Sequence, residues 1–368
     1  MTLKRSVAIL PLLLVALAVL VFAACGDDDG DATETPSDTS TVEPSGSHSQ
    51  VLQDVLDRGR LNCGVNDSVP GFGNLLEDGS FAGFDIDYCK AVAAAVLGDP
   101  DLVDYTPLTA EARLTAVQTG QVDVLIRNTT WTTSRDASSG LTFAATSYYD
   151  GQGMMVRANS GFTTVDDLAT ATVCVLQGTT TELNLADRLP DAEALGFENN
   201  DTLQTAFIEE RCDGWTSDKS QLAGRRSAFP ADSGGPESLV VLSETFSKEP
   251  LGPVTIDNDA QWSDIVSWVV MGTIAAEELG ITSANVADMA ANPPNVGVSR
   301  LLGVGFEGGE VTDTGLDVDV TFMQNVLAAV GNYGEIYEAN VTPIGIERAG
   351  TLNALWTNGG LIYSPPFK

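Results

Sequence analysis

From residue 50 onward, short apolar runs alternate with stretches of helical period, and that alternation is the mark of an α/β fold. Arg60-Leu61-Asn62-Cys63-Gly64-Val65 reads as a first strand, followed by a loop with glycine and proline over Asn66 to Asn74. Asp85 stands where a helix N-cap is wanted; Ile86, Cys89, Ala93 and Val96-Leu97 then recur at helical spacing until Gly98-Asp99-Pro100 stops the helix. Another helix fits Glu111 to Thr119, and Val122 to Ile126 is the strand after it. Thr172 to Leu176 opens a second unit of this kind, with its helix expected near Glu182. Gln204 to Glu210 reads as helix, Cys212 as the start of a turn into Asp213-Gly214-Trp215-Thr216, and Gln261 to Leu279 as a long amphipathic helix. Glu249-Pro250-Leu251-Gly252-Pro253-Val254 interrupts the pattern. A chain of 368 residues, 43% of them hydrophobic, can fill the cores of two lobes.

The first 24 residues belong to export. Lys4 and Arg5 precede an apolar run from Ser6 to Ala24 that ends in small residues, the composition of a signal peptide; an uncleaved membrane anchor is the alternative. Cys25, directly after Ala23-Ala24, resembles the lipidated cysteine of a bacterial lipobox. Residues 25–50 hold no large aliphatic side chain except Val42, so they are expected to form a disordered tether, and the only histidine, His48, lies in it. Export places Cys63, Cys89, Cys174 and Cys212 in an oxidising compartment; no pair has CxxC spacing, and two structural disulfides in any of three pairings are the economical reading.

Charge and histidine content exclude whole classes of function. Eighteen Lys and Arg stand against 51 Asp and Glu, a net charge of −33 that would repel nucleic acid. With its one histidine in the tether, the folded part cannot build a Ser-His or Cys-His nucleophile. It carries no HExxH, GxxxxGK[ST] or GxGxxG, and no metal or cofactor is expected. Two loops offer donors to a small anion; a surface loop with a salt-bridged arginine for the first, and a well-capped helix start for the second, are the alternative readings. Arg127-Asn128-Thr129-Thr130-Trp131-Thr132-Thr133-Ser134-Arg135 follows a strand, offers hydroxyls and backbone donors, and ends on a planar cationic fork that matches a carboxylate. Gln177-Gly178-Thr179-Thr180-Thr181-Glu182 opens a helix, where free N–H groups favour negative charge.

Taken together, several segments resemble the solute-binding proteins of polar and general L-amino-acid ABC importers. They are Gly83-Phe84-Asp85-Ile86-Asp87, the Arg127 to Arg135 loop, Tyr148-Tyr149-Asp150-Gly151-Gln152-Gly153, Glu249 to Pro253, Gly331-Asn332-Tyr333-Gly334-Glu335, and the ending from Leu352 to Phe367. The resemblance runs from Val51 to Lys368. It implies a two-lobed, periplasmic-binding-protein-like (type II) flytrap with two hinge crossings, one lobe formed by 51–156 plus 253–368 and the other by 157–252. It also implies an exported monomer that captures L-amino acids, delivers them to ABC permease subunits and catalyses nothing. An amino-acid sensor, or a rare enzyme on this fold such as a small-acid dehydratase, is the alternative. By the same resemblance Arg135 grips the α-carboxylate, helped by Asn128 and Thr130. Thr179, Thr180 and Thr181 form the cradle of the second lobe, Asp218 pairs with the α-ammonium, and Phe72 lies against the ligand. Many relatives carry a second aromatic near position 110, where this chain has Ala110. Pairing within lobes, Cys63 with Cys89 and Cys174 with Cys212, leaves such a hinge free to move.

Overall fold

The computed structural model describes residues 48–311 and 313–368, so the signal peptide, Cys25 and most of the expected tether lie outside the described residues. The described residues include the end of the expected tether. Ser49 caps the helix Gln50–Arg58 by accepting from the Leu52 amide and donates its own hydroxyl to Asp259, which ties the tether's last residues to the fold. His48 sits nearby, solvent-exposed and 3.4 Å from Asp317.

Two five-stranded sheets repeat one topology. In the first, the strands run in the order Val103–Pro107, Leu61–Val65, Val124–Leu125, Val254–Ile256, Leu141–Phe143. In the second they run Glu193–Phe197, Thr172–Leu176, Gly214–Asp218, Gln152–Arg157, Leu239–Val241. The first three strands of each order are parallel, and the fourth is antiparallel to both its neighbours. That fourth strand is in each case the one that has just crossed from the other lobe. The molecule is thus a two-lobed α/β protein of the type II kind. Gln152–Arg157 already pairs in the second sheet, so the chain has crossed by Gln152 rather than at 157. The crossings themselves, Tyr148–Asp150 and Glu249–Leu251, pair antiparallel as a two-stranded ribbon, Tyr148 opposite Leu251 and Asp150 opposite Glu249.

Each sheet is buried on both faces, as parallel sheets are. In Thr172–Leu176, Val173 and Val175 pack with Met154 and Leu185 on one side, while Cys174 and Leu176 pack with Phe207, Trp215 and Leu222 on the other. The first lobe's main core gathers Phe84, Tyr88, Trp262, Phe322, Tyr333 and Tyr337 beneath the long helix Ala260–Glu278. Cys63 is bonded to Cys89 (Cα–Cα 6.1 Å) and Cys174 to Cys212 (5.6 Å), each bridge joining a strand to the helix or turn packed beside it within one lobe.

Several local expectations need correction. The helix placed at Gln204 to Glu210 runs from Asn200 to Ile208, because Asn199 caps it by accepting from the Thr202 amide. Asp85 lies inside the first turn of the helix Phe84–Leu97, whose N-cap is Gly83. The helix expected near Glu182 begins at Thr180, because Thr179 supplies the cap by accepting from the Glu182 amide. The turn placed after Cys212 gives way at Gly214 to a strand that runs to Asp218, since Trp215 through Asp218 pair with Gln152 through Met155 of the crossing strand.

Candidate functional site

The first-lobe loop is built by the end of a strand and a buried carboxylate. After Val124–Leu125 the chain turns through Asn128 at φ +29, a conformation that asparagine's short polar side chain tolerates better than most. The Asn128 amide donates to the Asp85 carboxylate at 2.8 Å. Burial pushes Asp85 up to about 6, while this bond and the Arg127 charge pull it down. Thr130 forms an isolated bridge to Leu251, and the Trp131 amide donates to the Pro250 carbonyl, so the loop is stitched to a hinge strand. Thr132 caps the short helix Thr133–Ser138, which carries Arg135.

The second-lobe side is built from the helix that starts at Thr180 and from the end of the strand Gly214–Asp218. The Thr179 hydroxyl donates to the Leu176 carbonyl, and the Thr180 hydroxyl donates to the carboxylate of Glu249 at 2.8 Å. Glu249 also accepts from Asn184 and Ser247, which anchors the returning hinge strand to the second lobe. The first-turn amides of Thr180 and Thr181 have no carbonyl before them in the helix, so donors remain at this end. Asp218 is buried at the start of the helix Lys219–Ser227 without capping it. Its Oδ2 accepts from Asn128 Nδ2 at 3.4 Å, and its Oδ1 has no partner among the described residues.

Asn128, Thr130, Thr179, Thr180, Thr181 and Asp218 line one cavity between the lobes. It measures about 20 Å³, room for roughly one or two waters, so its lining must open for anything larger to enter. Two cavity residues were missed in the sequence. Arg113 lines it with its guanidinium buried and its Nε without a hydrogen-bond partner among the described residues. Gln221 lines it from the second lobe. Nothing local marked either: an arginine at a helix start and a glutamine in a helix both read as solvated surface.

The remaining expected residues lie elsewhere. Arg135 is half-buried, and its Nη1 donates to the Thr130 carbonyl at 2.9 Å, so it braces the loop that carries Thr130 from behind the cavity wall. Phe72 is fully buried in the first-lobe core, its ring 5.1 Å from Tyr148 and 5.7 Å from Phe84. Ala110 does line the cavity, where its methyl leaves Arg113 beside it.

Two ionisable groups of opposite kind on the cavity are both pushed from their ordinary ranges. Burial, with the charges of Arg127 and Arg135, holds Arg113 well below the usual guanidinium range. Burial, with the carboxylates of Asp150 and Glu249, holds Asp218 well above the usual carboxylate range. Both charged forms are disfavoured until an opposite charge arrives in the buried space between them.

Residues 61–301 match the bacterial extracellular solute-binding proteins, family 3. The glutamate/glutamine/aspartate/asparagine-binding protein BztA of Rhodobacter capsulatus is 47% identical over 86% of this chain and 93% of its own length. The general L-amino acid-binding periplasmic protein AapJ of Rhizobium johnstonii is 45% identical over 89% of this chain and 95% of its own. Among solved structures, an ABC transporter periplasmic binding protein from Brucella ovis with glutathione bound superimposes with a TM-score of 0.81 at 43% identity, covering 87% of this chain and all of that one. A shared family profile, near full-length relatives and the repeated sheet topology agree, and the chain belongs to the bacterial extracellular solute-binding proteins, family 3.

Proposed function

We propose that this protein is the extracytoplasmic receptor of an amino-acid ABC importer: it closes two lobes over a free L-amino acid and hands it to the permease in the membrane, without chemical change. The observation that carries this reading is the pair of buried, underbonded charges, Arg113 from one lobe and Asp218 from the other, on one interlobe cavity. An α-amino acid supplies the two opposite charges such a site lacks.

In this reading Asp218 takes the α-ammonium. Arg135, whose guanidinium donates to the Thr130 carbonyl, takes the α-carboxylate together with Thr130 and Asn128. Arg113, beside the small Ala110, faces the side chain, which favours ligands ending in a carboxylate or an amide. The relatives named for glutamate, glutamine, aspartate and asparagine, and for L-amino acids in general, support the class. The lobes are proposed to change over at the hinge ribbon, the chain to act as a monomer, and Cys25 to carry the lipid that holds it outside the membrane.

The test is a thermal-shift screen of the mature protein against the twenty amino acids, followed by calorimetry on the best ligand and on its deaminated and decarboxylated analogues. A ligand that binds only the folded protein raises its melting temperature. Acidic or amide amino acids are expected to give the largest shifts, with both analogues binding far more weakly. No shift with any amino acid overturns the receptor reading.

A further inference from the structure

Beside the cavity, five uncharged side chains close a ring of hydrogen bonds across the two lobes. Asn66 Nδ2 donates to Asn128 Oδ1 at 3.2 Å, and Asn128 Nδ2 donates to Gln221 Oε1 at 3.3 Å. Gln221 Nε2 donates to Asn200 Oδ1 at 2.9 Å, and Asn200 Nδ2 donates to the Ser68 hydroxyl at 3.3 Å. Ser68 Oγ completes the circuit by donating to Asn66 Oδ1 at 3.4 Å. Every member gives one bond and receives one in the same sense around the ring. Asn66, Ser68 and Asn128 belong to the first lobe, Asn200 and Gln221 to the second, so two of the five bonds cross between lobes.

We propose that this ring is an interlobe latch, and that Asn200 and Ser68 are positioning residues which set how firmly the protein closes on any ligand. Resting on the receptor reading, the proposal adds which residues hold the closed state. All four amides are buried and Ser68 is half-buried, so the ring is sheltered from competing water. A cyclic arrangement also fixes the orientation of every amide, because flipping one member would set donor against donor or acceptor against acceptor at two junctions. Asn128 and Gln221 line the ligand cavity, whereas Asn66, Ser68 and Asn200 line the polar groove outside it. The ring therefore transmits closure to two cavity walls without its outer members touching ligand. The Thr130 and Thr180 hydroxyls, 3.4 Å apart, and the Asn128–Asp218 hydrogen bond at 3.4 Å are further, slighter links between the lobes.

Asn200→Ala, Ser68→Ala and the double variant, each in the mature protein, test the latch against glutamate and glutamine by calorimetry and stopped-flow kinetics. Loss of the crossing bond between Asn200 and Ser68, which opens the ring, is expected to weaken both ligands by the same factor, about tenfold, mainly through faster dissociation. Because either change opens the same ring, the double variant is expected to lose at most about threefold more than the worse single one. Melting temperatures of the ligand-free variants should stay near that of the wild type, which separates a latch from a role inside one lobe. Losses that differ between the two ligands, add fully in the double variant or are absent overturn the latch. If neither binds the wild-type protein, the variants are measured with the best ligand of the thermal-shift screen. If no amino acid binds, the receptor reading fails on its own, and small-angle scattering of the ligand-free proteins decides the latch, which predicts a larger radius for Asn200→Ala and is overturned by an equal one.

Discussion

Gly224, in the second-lobe helix Lys219–Ser227, lies against the carbonyl oxygen of Pro70 in the first lobe so closely that a β-carbon on it would collide with that oxygen. Backbone cannot yield as a flexible side chain can, so this glycine acts as a stop that lets the lobes meet. Gly224→Ala should leave each lobe folded, and the helix itself should gain up to about 1 kcal/mol from the better helix former. Closure should suffer instead. We expect ligand affinity to fall at least tenfold for every amino acid, with the ligand-free melting temperature unchanged or raised; calorimetry and thermal melts measure both.

Arg113 is a buried cation whose Nε has no partner among the described residues, a costly arrangement that makes sense only if something else meets it. Arg113→Met keeps the length and removes the charge. The ligand-free protein should melt at the same temperature or higher, while binding of glutamate falls by about 2–5 kcal/mol, the usual cost of leaving a buried charge unmated. Affinity within about threefold of wild type, measured by calorimetry, would remove Arg113 from the site.

Ligand binding should depend on pH through Asp218. Its carboxyl is held well above the ordinary range by burial and by Asp150 and Glu249, so the free site favours the protonated form, whereas an ammonium favours the ionised one. Binding therefore expels a proton, and affinity should rise with pH by up to about one decade per unit while Asp218 remains protonated in the free protein. Calorimetry from pH 5 to 8, in buffers of different ionisation enthalpy, reads both the slope and the released proton. In Asp218→Asn the slope attributable to this group should vanish.

The stability of the ligand-free protein should move the opposite way. Burial raises Asp85 and Asp150 to about 6, above their unfolded values near 4. A raised carboxyl stabilises the fold fully below its unfolded pKa, and that contribution is lost as pH rises through the folded one. Each therefore contributes roughly 3 kcal/mol at acid pH that is gone above about pH 6. Denaturant titrations at pH 4.5 and 7.5 should show this dependence reduced in Asp150→Asn.

The disulfides should support stability and leave binding alone. Cys63–Cys89 spans 26 residues and Cys174–Cys212 spans 38, and neither crosses between lobes. Replacing either pair by alanine should cost roughly 3–4 kcal/mol by loop entropy, while the ligand dissociation constant stays within about twofold. A large affinity change on removing one bridge would tie that bridge to hinge motion.

The alternation of apolar strand and amphipathic helix was enough to read the α/β class, because period 2 and period 3.6 are written locally in which residues are apolar. It located Leu61–Val65, Thr172–Leu176 and the long helix Ala260–Glu278 to within a residue or two. The hydroxyl-rich loops before Arg135 and Glu182 were equally visible, since capping and turn chemistry depend on neighbours in sequence. Where the chain crosses between lobes was less legible: Gln152–Arg157 differs little in composition from the strands around it, and only its antiparallel pairing with Gly214–Asp218 assigns it to the second sheet. Nor could the chain alone announce Arg113, Gln221 or the ring through Asn200, because each reaches the cavity or the ring only when a residue more than eighty positions away is folded against it. Phe72 shows the converse. Its residue type suits a ligand site, but packing decides whether a phenyl ring joins the core. Local periodicity is a property of the sequence; a buried charge without a mate is a property of tertiary structure, since burial is conferred by the other lobe.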